Sequence, residues 1–187
     1  MRPRSGFTLV ELLVVITILA ILSVVGLTAY SGVQKNARDA KRKDDLRAVK
    51  VALELYYQKN NRYPCPGDNV WKSSASGGSW ITDEDFAGCT DTQKNLDSSY
   101  ISRMPTDPLN SGPGTVWNNL ETGYYYGYRG YHSALCAAKK GQFFILVALL
   151  ENKNDANRNG LRLVKDCNGA AITGPGWDNA YVITSDD

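Results

Sequence analysis

The sequence predicts an α+β fold: a long N-terminal α-helix, transmembrane in its first half, packed on a small antiparallel β-sheet. Three observations predict it. Residues 7–30 are almost wholly apolar. Residues 33–59 hold neither proline nor glycine and carry an apolar stripe. The C-terminal third holds short runs of β-branched and aromatic residues divided by turn formers. The chain of 187 residues is long enough for one ordinary domain and an appendage. A formal net charge of +2, with 43% hydrophobic residues, gives no basic face of the kind nucleic acid requires.

The apolar stretch comes first. From Leu12 to Val25 only Thr17 and Ser23 interrupt a run of aliphatic residues. The 24 residues of 7–30 would make a helix about 36 Å long, enough to span a hydrocarbon core of roughly 30 Å with some tilt. A secretory signal core is shorter, roughly 7–15 residues, and carries no charge like Glu11. Small residues at Ala29 and Ser31 leave a signal-peptidase cut after Ser31 as one alternative, and an exported domain on an uncut signal anchor is a separate, remote one.

Glu11 needs a reason. A carboxylate at mid-membrane costs about 2.5–3.5 kcal/mol, and less near an edge. The nine Leu, Ile and Val residues of 12–22 each return about 0.3–0.6 kcal/mol, so insertion survives. One explanation is local: Thr8 to Glu11 has the spacing of a capping box. A second requires a cut after Gly6, which would give Phe7 a free amine that is mostly cationic at neutral pH. That cation could pair with Glu11 of a neighbouring copy in an apolar surround. Capping accounts for the glutamate but not for Gly6 or for the basic leader with Arg2 and Arg4. The two roles are compatible.

These residues, RSGFTLVELLVVITILAIL, resemble the N-terminal signature of type IV pilins and type II secretion pseudopilins. The close match covers residues 2 to about 30, with a looser one to Pro64. The resemblance implies cleavage between Gly6 and Phe7 by a prepilin peptidase, N-methylation of Phe7, and a role for Phe7 and Glu11 in subunit registration. It also implies partners: an inner-membrane assembly platform and a filament of copies and related minor pilins. The expected location is a single pass in the inner membrane before assembly and a cell-surface or extracellular pilus afterwards. Loss of the leader removes two arginines, taking the net charge from +2 to about zero. Many pilins carry a proline in the membrane half; this span has none. The function expected first is a pilus subunit for adhesion, motility or DNA uptake, with a type II secretion pseudopilin as the alternative.

Domain boundaries follow: leader 1–6, transmembrane and filament-core half 7–30, amphipathic half 31–62, and head 63–187. The head divides into a variable loop region, 63–120, and a sheet, 121–187. Ala37, Ala40, Leu46, Val49, Leu53 and Tyr56 form the stripe on the second half of the helix, which should stop near Asn60 and Asn61 before Tyr63-Pro64. The charged run 40–47 reads as a solvated face with local ion pairs. A short helix is expected over 96–104, and 104–112 resembles the turn that leads into the sheet of pseudopilins. Strands are expected at 124–128, 142–151, 161–166 and 180–184, with the tyrosines of 124–131 packing across strands.

Cys65, Cys89, Cys136 and Cys167 all follow the apolar stretch and lack zinc-site spacing. Of three pairings, Cys65–Cys89 closing the variable loop and Cys136–Cys167 stapling the sheet is expected, each contributing about 3–4 kcal/mol. No cofactor is expected. Calcium is the one metal with candidate ligands, because Asp155, Asn157 and Asn159 open like a calcium loop that Asp166 could close. An Asn/Asp-rich turn needs no metal. Some pseudopilins bind calcium in a C-terminal loop, which makes Asp178 and Asp186 alternatives by resemblance. With a single histidine, His132, and no HExxH, GxSxG or phosphate-binding loop, the sequence selects no catalytic group.

Overall fold

A computed structural model describes residues 6–64, 71–76, 80–81, 96, 99–111, 123–130, 141–158, 164–165, 169 and 179–186; the side chains of 25–29 and 76 lie outside the described residues. The chain divides into two compact units, 1–37 and 38–187.

The helix α1 runs Leu9–Asn60. It starts where Thr8 can cap it and ends where Asn61 takes the left-handed conformation, φ 54°, with its N–H donated to the Tyr57 carbonyl at 2.7 Å. In the first unit every described apolar side chain is exposed, from Phe7 at 79% to Val24 at 65%. The two polar interruptions satisfy themselves. The Thr17 hydroxyl donates to the Val14 carbonyl at 2.8 Å, and that of Ser23 to the Leu19 carbonyl at 2.7 Å. Among the described residues no helix is long and apolar enough to cross a membrane. The span expected over 7–30 includes 25–29, whose side chains are not described.

The second unit is α+β: among the described residues the rest of α1 packs on a four-stranded sheet whose strands neighbour one another in chain order, every pair antiparallel. The strands are β1 Lys72–Ser73, β2 Tyr126–Gly130, β3 Phe144–Leu149 and β4 Ala180–Thr184, and a 3-10 turn, Ser74–Ser76, follows β1. Helix residues Leu46, Val49, Ala52, Leu53 and Tyr56 meet Tyr126, Tyr128, Phe144, Leu146, Ala148 and Ile183 on one sheet face. The other face is also covered: Trp71, Tyr125, Phe143, Ile145, Val147, Leu149 and Ala180 form a second cluster. Hence β3, FILVAL, is buried at every position and reads as a continuous apolar run rather than an alternating one.

Several expectations need adjustment. The stripe residues Leu46, Val49, Leu53 and Tyr56 are fully buried, whereas Ala37 and Ala40 are exposed. The strand expected over 142–151 is trimmed to six residues. The region expected to be irregular contributes β1, too short to leave a period-2 signal. No helix forms over the described residues of 96–104. There the Leu96 N–H donates to the Ile81 carbonyl at 3.2 Å, 99–100 turn, and Pro105 opposes a helical residue at Met104. The turn at 104–111 does lead to the sheet, through a bridge between Ser111 and Tyr124. Tyr125, Tyr126 and Tyr128 are buried, so these three pack inside the head. Most of the strand expected at 161–166 lies outside the described residues.

Candidate functional site

The candidate processing and assembly site is the start of α1. Gly6 has open space around its Cα, with nothing within 4 Å of where a Cβ would stand, and Phe7 is exposed. Thr8 and Glu11 form the capping box in full. Glu11 Oε2 accepts from the Thr8 N–H at 2.9 Å and from the Thr8 hydroxyl at 2.7 Å, and the Glu11 N–H donates to Thr8 Oγ1 at 3.3 Å. Both bonds to the carboxylate fall on one oxygen. The local explanation of Glu11 is therefore realised. The leader arginines, Arg2 and Arg4, lie outside the described residues.

A second polar cluster, in the head, was not foreseen. Asp39 and Arg42 continue the stripe of Leu46, Val49, Leu53 and Tyr56 at the same three- and four-residue spacing, so they too face the head. The Arg42 side chain is wholly buried. It donates from Nε and Nη2 to Asp107 at 2.7 and 3.1 Å, and from Nη1 to Asp39 and Glu151, both at 2.7 Å. Arg38 grips Glu151 through two further bonds of 2.7 and 2.6 Å. Two guanidiniums thus face three carboxylates. Backbone N–H groups of Glu151 and Asn152 on Asp39, and of Leu109 and Asn110 on Asp107, offset the surplus negative charge. The ring of Tyr124 lies 4.6 Å from the Arg42 guanidinium. The cluster braces α1 against the exit of β3 and the 104–111 turn.

The charged run 40–47 is consequently split. Lys41–Asp45 and Arg47–Asp44 are local pairs on the outside, as expected. Arg42 and Lys43 point inward, and Asp45 also accepts from the buried Tyr126 hydroxyl at 2.7 Å. The spacing shared with the apolar stripe was the available signal.

Hydrogen bonds from Arg38 and Arg42 outweigh the desolvation of Glu151 and hold its carboxyl at about 2, below the ordinary 4.5. For Arg42 burial disfavours the cation, but bonds to Asp107, Glu151 and Asp39 prevail and its pKa is raised. A depressed carboxylate contributes stability that is complete above about pH 4.5 and is lost as pH falls toward 2. We predict that urea unfolding at pH 6 and pH 2.5 will differ by a Glu151-dependent contribution of order 3 kcal/mol. In Glu151→Gln that component should vanish; an unaltered pH profile would refute the assignment.

Of the calcium candidates, Asn159, Asp166 and Asp178 lie outside the described residues, as do all four cysteines of the two expected disulfides and His132. Asp186 is exposed, and its backbone N–H donates to Thr184 Oγ1 at 3.3 Å. Asp155 is partly buried: desolvation raises its pKa, but bonds from Lys43 and Asn157 more than cancel this and the net shift is downward. Among the described residues no three His, Cys, Asp or Glu gather as a metal cluster.

Comparison with known proteins bears on the N-terminal pattern and on somewhat more than half of the chain. Residues 1–27 match the family model described as prokaryotic N-terminal methylation motif. Over 107 residues the chain is 34% identical to type II secretion system core protein G of Aeromonas hydrophila, covering 57% of this chain and 68% of that protein. The chain belongs to the type IV pilin and pseudopilin family. The protein of the same name from Pectobacterium carotovorum is 39% identical over 122 residues, covering 65% of this chain and 70% of its own. That of Pseudomonas aeruginosa is 29% identical over 119 residues, covering 61% and 78%. No solved structure matches. As a member of that family, the chain is not an enzyme.

Proposed function

We propose that the chain is a pseudopilin of a type II secretion system, a subunit of the short filament that serves protein export. The observation that carries this reading is the 34% identity to core protein G of Aeromonas hydrophila across 68% of that protein. It reverses the order expected from sequence, in which a surface pilus for adhesion, motility or DNA uptake stood first. In this reading residues 1–6 are a leader removed by a prepilin peptidase, Phe7 is the N-methylated first residue, and 7–30 anchor the chain in the inner membrane by a single pass. The half 31–62 carries the head 63–187, and the head is stapled by Cys65–Cys89 and Cys136–Cys167. Copies and related pseudopilins pack through the exposed apolar half of α1, which needs lipid or other helices around it. Deleting the chain tests the choice: export should fail while any surface filaments persist, and the converse would overturn the reading.

The pairing role of Glu11 has its own test. Glutamine can occupy the same place in a capping box, so Glu11→Gln keeps the bonds to Thr8 and removes only the charge. The expected result is normal cleavage after Gly6, seen by mass spectrometry, with filament yield reduced at least about tenfold. Wild-type assembly by this variant would leave Glu11 with capping alone.

A further inference from the structure

The Asp155 loop opens like a calcium loop, yet its carboxylate is already engaged. Asp155 Oδ2 lies 2.5 Å from the Lys43 ammonium, and both side chains are largely buried. Asp155 Oδ1 accepts from the backbone N–H of Asn157 at 2.9 Å and from its side-chain amide at 3.2 Å. The Asn157 amide thus turns a donor, not an oxygen, toward the aspartate. The turn also closes on itself, with the Asp155 N–H on the Asn152 carbonyl and the Arg158 N–H on the Asp155 carbonyl, each at 3.2 Å. The ring of Tyr181 on β4 also stands 5.9 Å from the ammonium.

We propose that the Lys43 ammonium is the resident cation of this loop, a charge delivered by α1 that does what a bound divalent ion would do. A calcium ion takes six to eight oxygens at about 2.3–2.6 Å. Here the first two residues of the motif do not present oxygens to a common point, and a divalent ion on Asp155 Oδ2 would sit against the ammonium. The lysine also adds something an ion would not. Because the lysine's own stem is part of the helix, the ion pair ties the loop after β3 to α1, one turn along from Asp39, whose carboxylate holds the N–H groups of Glu151 and Asn152. The inference concerns the second unit, 38–187, alone and stands whether the filament serves secretion or a pilus.

The experiment is thermal melting of the detergent-solubilised full chain in millimolar calcium chloride and in excess EGTA. It compares wild type with Lys43→Met, Asp155→Asn and the double variant. Wild type should melt at the same temperature in both media, to within about one degree. Lys43→Met should melt lower by at least about 3 °C, because it leaves Asp155 charged and partly buried. The double variant should recover part of that loss. A calcium-dependent shift that persists in Asp155→Asn belongs to another part of the chain and leaves Lys43 as the cation of this loop. The proposal is overturned if EGTA lowers the wild-type melting temperature and Asp155→Asn abolishes the difference, or if Lys43→Met melts like wild type.

Discussion

Arg42→Ala is expected to destabilise the head by about 3–5 kcal/mol, the range for breaking a buried ion pair from one side. The wild-type guanidinium is wholly buried and reaches Asp39, Asp107 and Glu151 at once. Its removal leaves Asp39 and Asp107 charged at 2% and 3% exposure, while Glu151 keeps Arg38. The backbone N–H groups on Asp39 and Asp107 remain, which is why the loss should not exceed that range. Since domain stabilities are about 5–15 kcal/mol, the variant would unfold at markedly lower urea. Arg42→Lys should recover only part of the loss, because an ammonium cannot supply the forked bonds made to Asp107. Urea titration followed by tryptophan fluorescence measures both. A loss below about 1 kcal/mol for Arg42→Ala would mean that the carboxylates find other partners or water.

Phe144→Ala should cost a similar amount, about 3–5 kcal/mol, by a different mechanism. The ring is fully buried on β3, 4.7 Å edge-on to Tyr63 and 6.3 Å from Tyr128. Tyr63 follows the end of α1 and Tyr128 lies in β2, so the ring joins the helix terminus to two strands. Its neighbours are held. The Tyr128 hydroxyl donates to the Pro64 carbonyl at 2.7 Å and that of Tyr63 to Glu54 at 3.1 Å, which limits their collapse into the gap. A cavity therefore persists, and cavity volume adds to the lost transfer energy. The same urea titration reads the effect, and Phe144→Leu should lose far less.

Much of this architecture is legible because the period of the pattern is the cause of the fold. Leu46, Val49, Leu53 and Tyr56 recur at helical spacing and are the residues that bury against the sheet. FILVAL reads as a strand because its residues suit a pleated, covered surface. The site at Thr8 and Glu11 is local, and a three-residue spacing suffices to specify it. What escaped sequence reading is non-local. Arg42 pairs with Asp107 and Glu151 across separations of 65 and 109 residues, and no periodicity reports such distances. Composition also misled: a run of mixed charge looks solvated, yet Arg42 within it and Asp39 just before it carry the stripe's own spacing. Over the described residues of 96–104 no helix forms, because the serines of this run favour turns and a proline follows it.

From Leu12 to Val24, α1 keeps the hydrogen bonds of its polar side chains to itself. The hydroxyls of Thr17 and Ser23 are spent on carbonyls one turn back. A rod of this kind is indifferent to the chemical identity of an oily host. Acyl chains and the aliphatic side chains of another rod offer it the same terms, so transfer from one to the other alters only dispersion contacts and leaves no donor or acceptor to be rehoused.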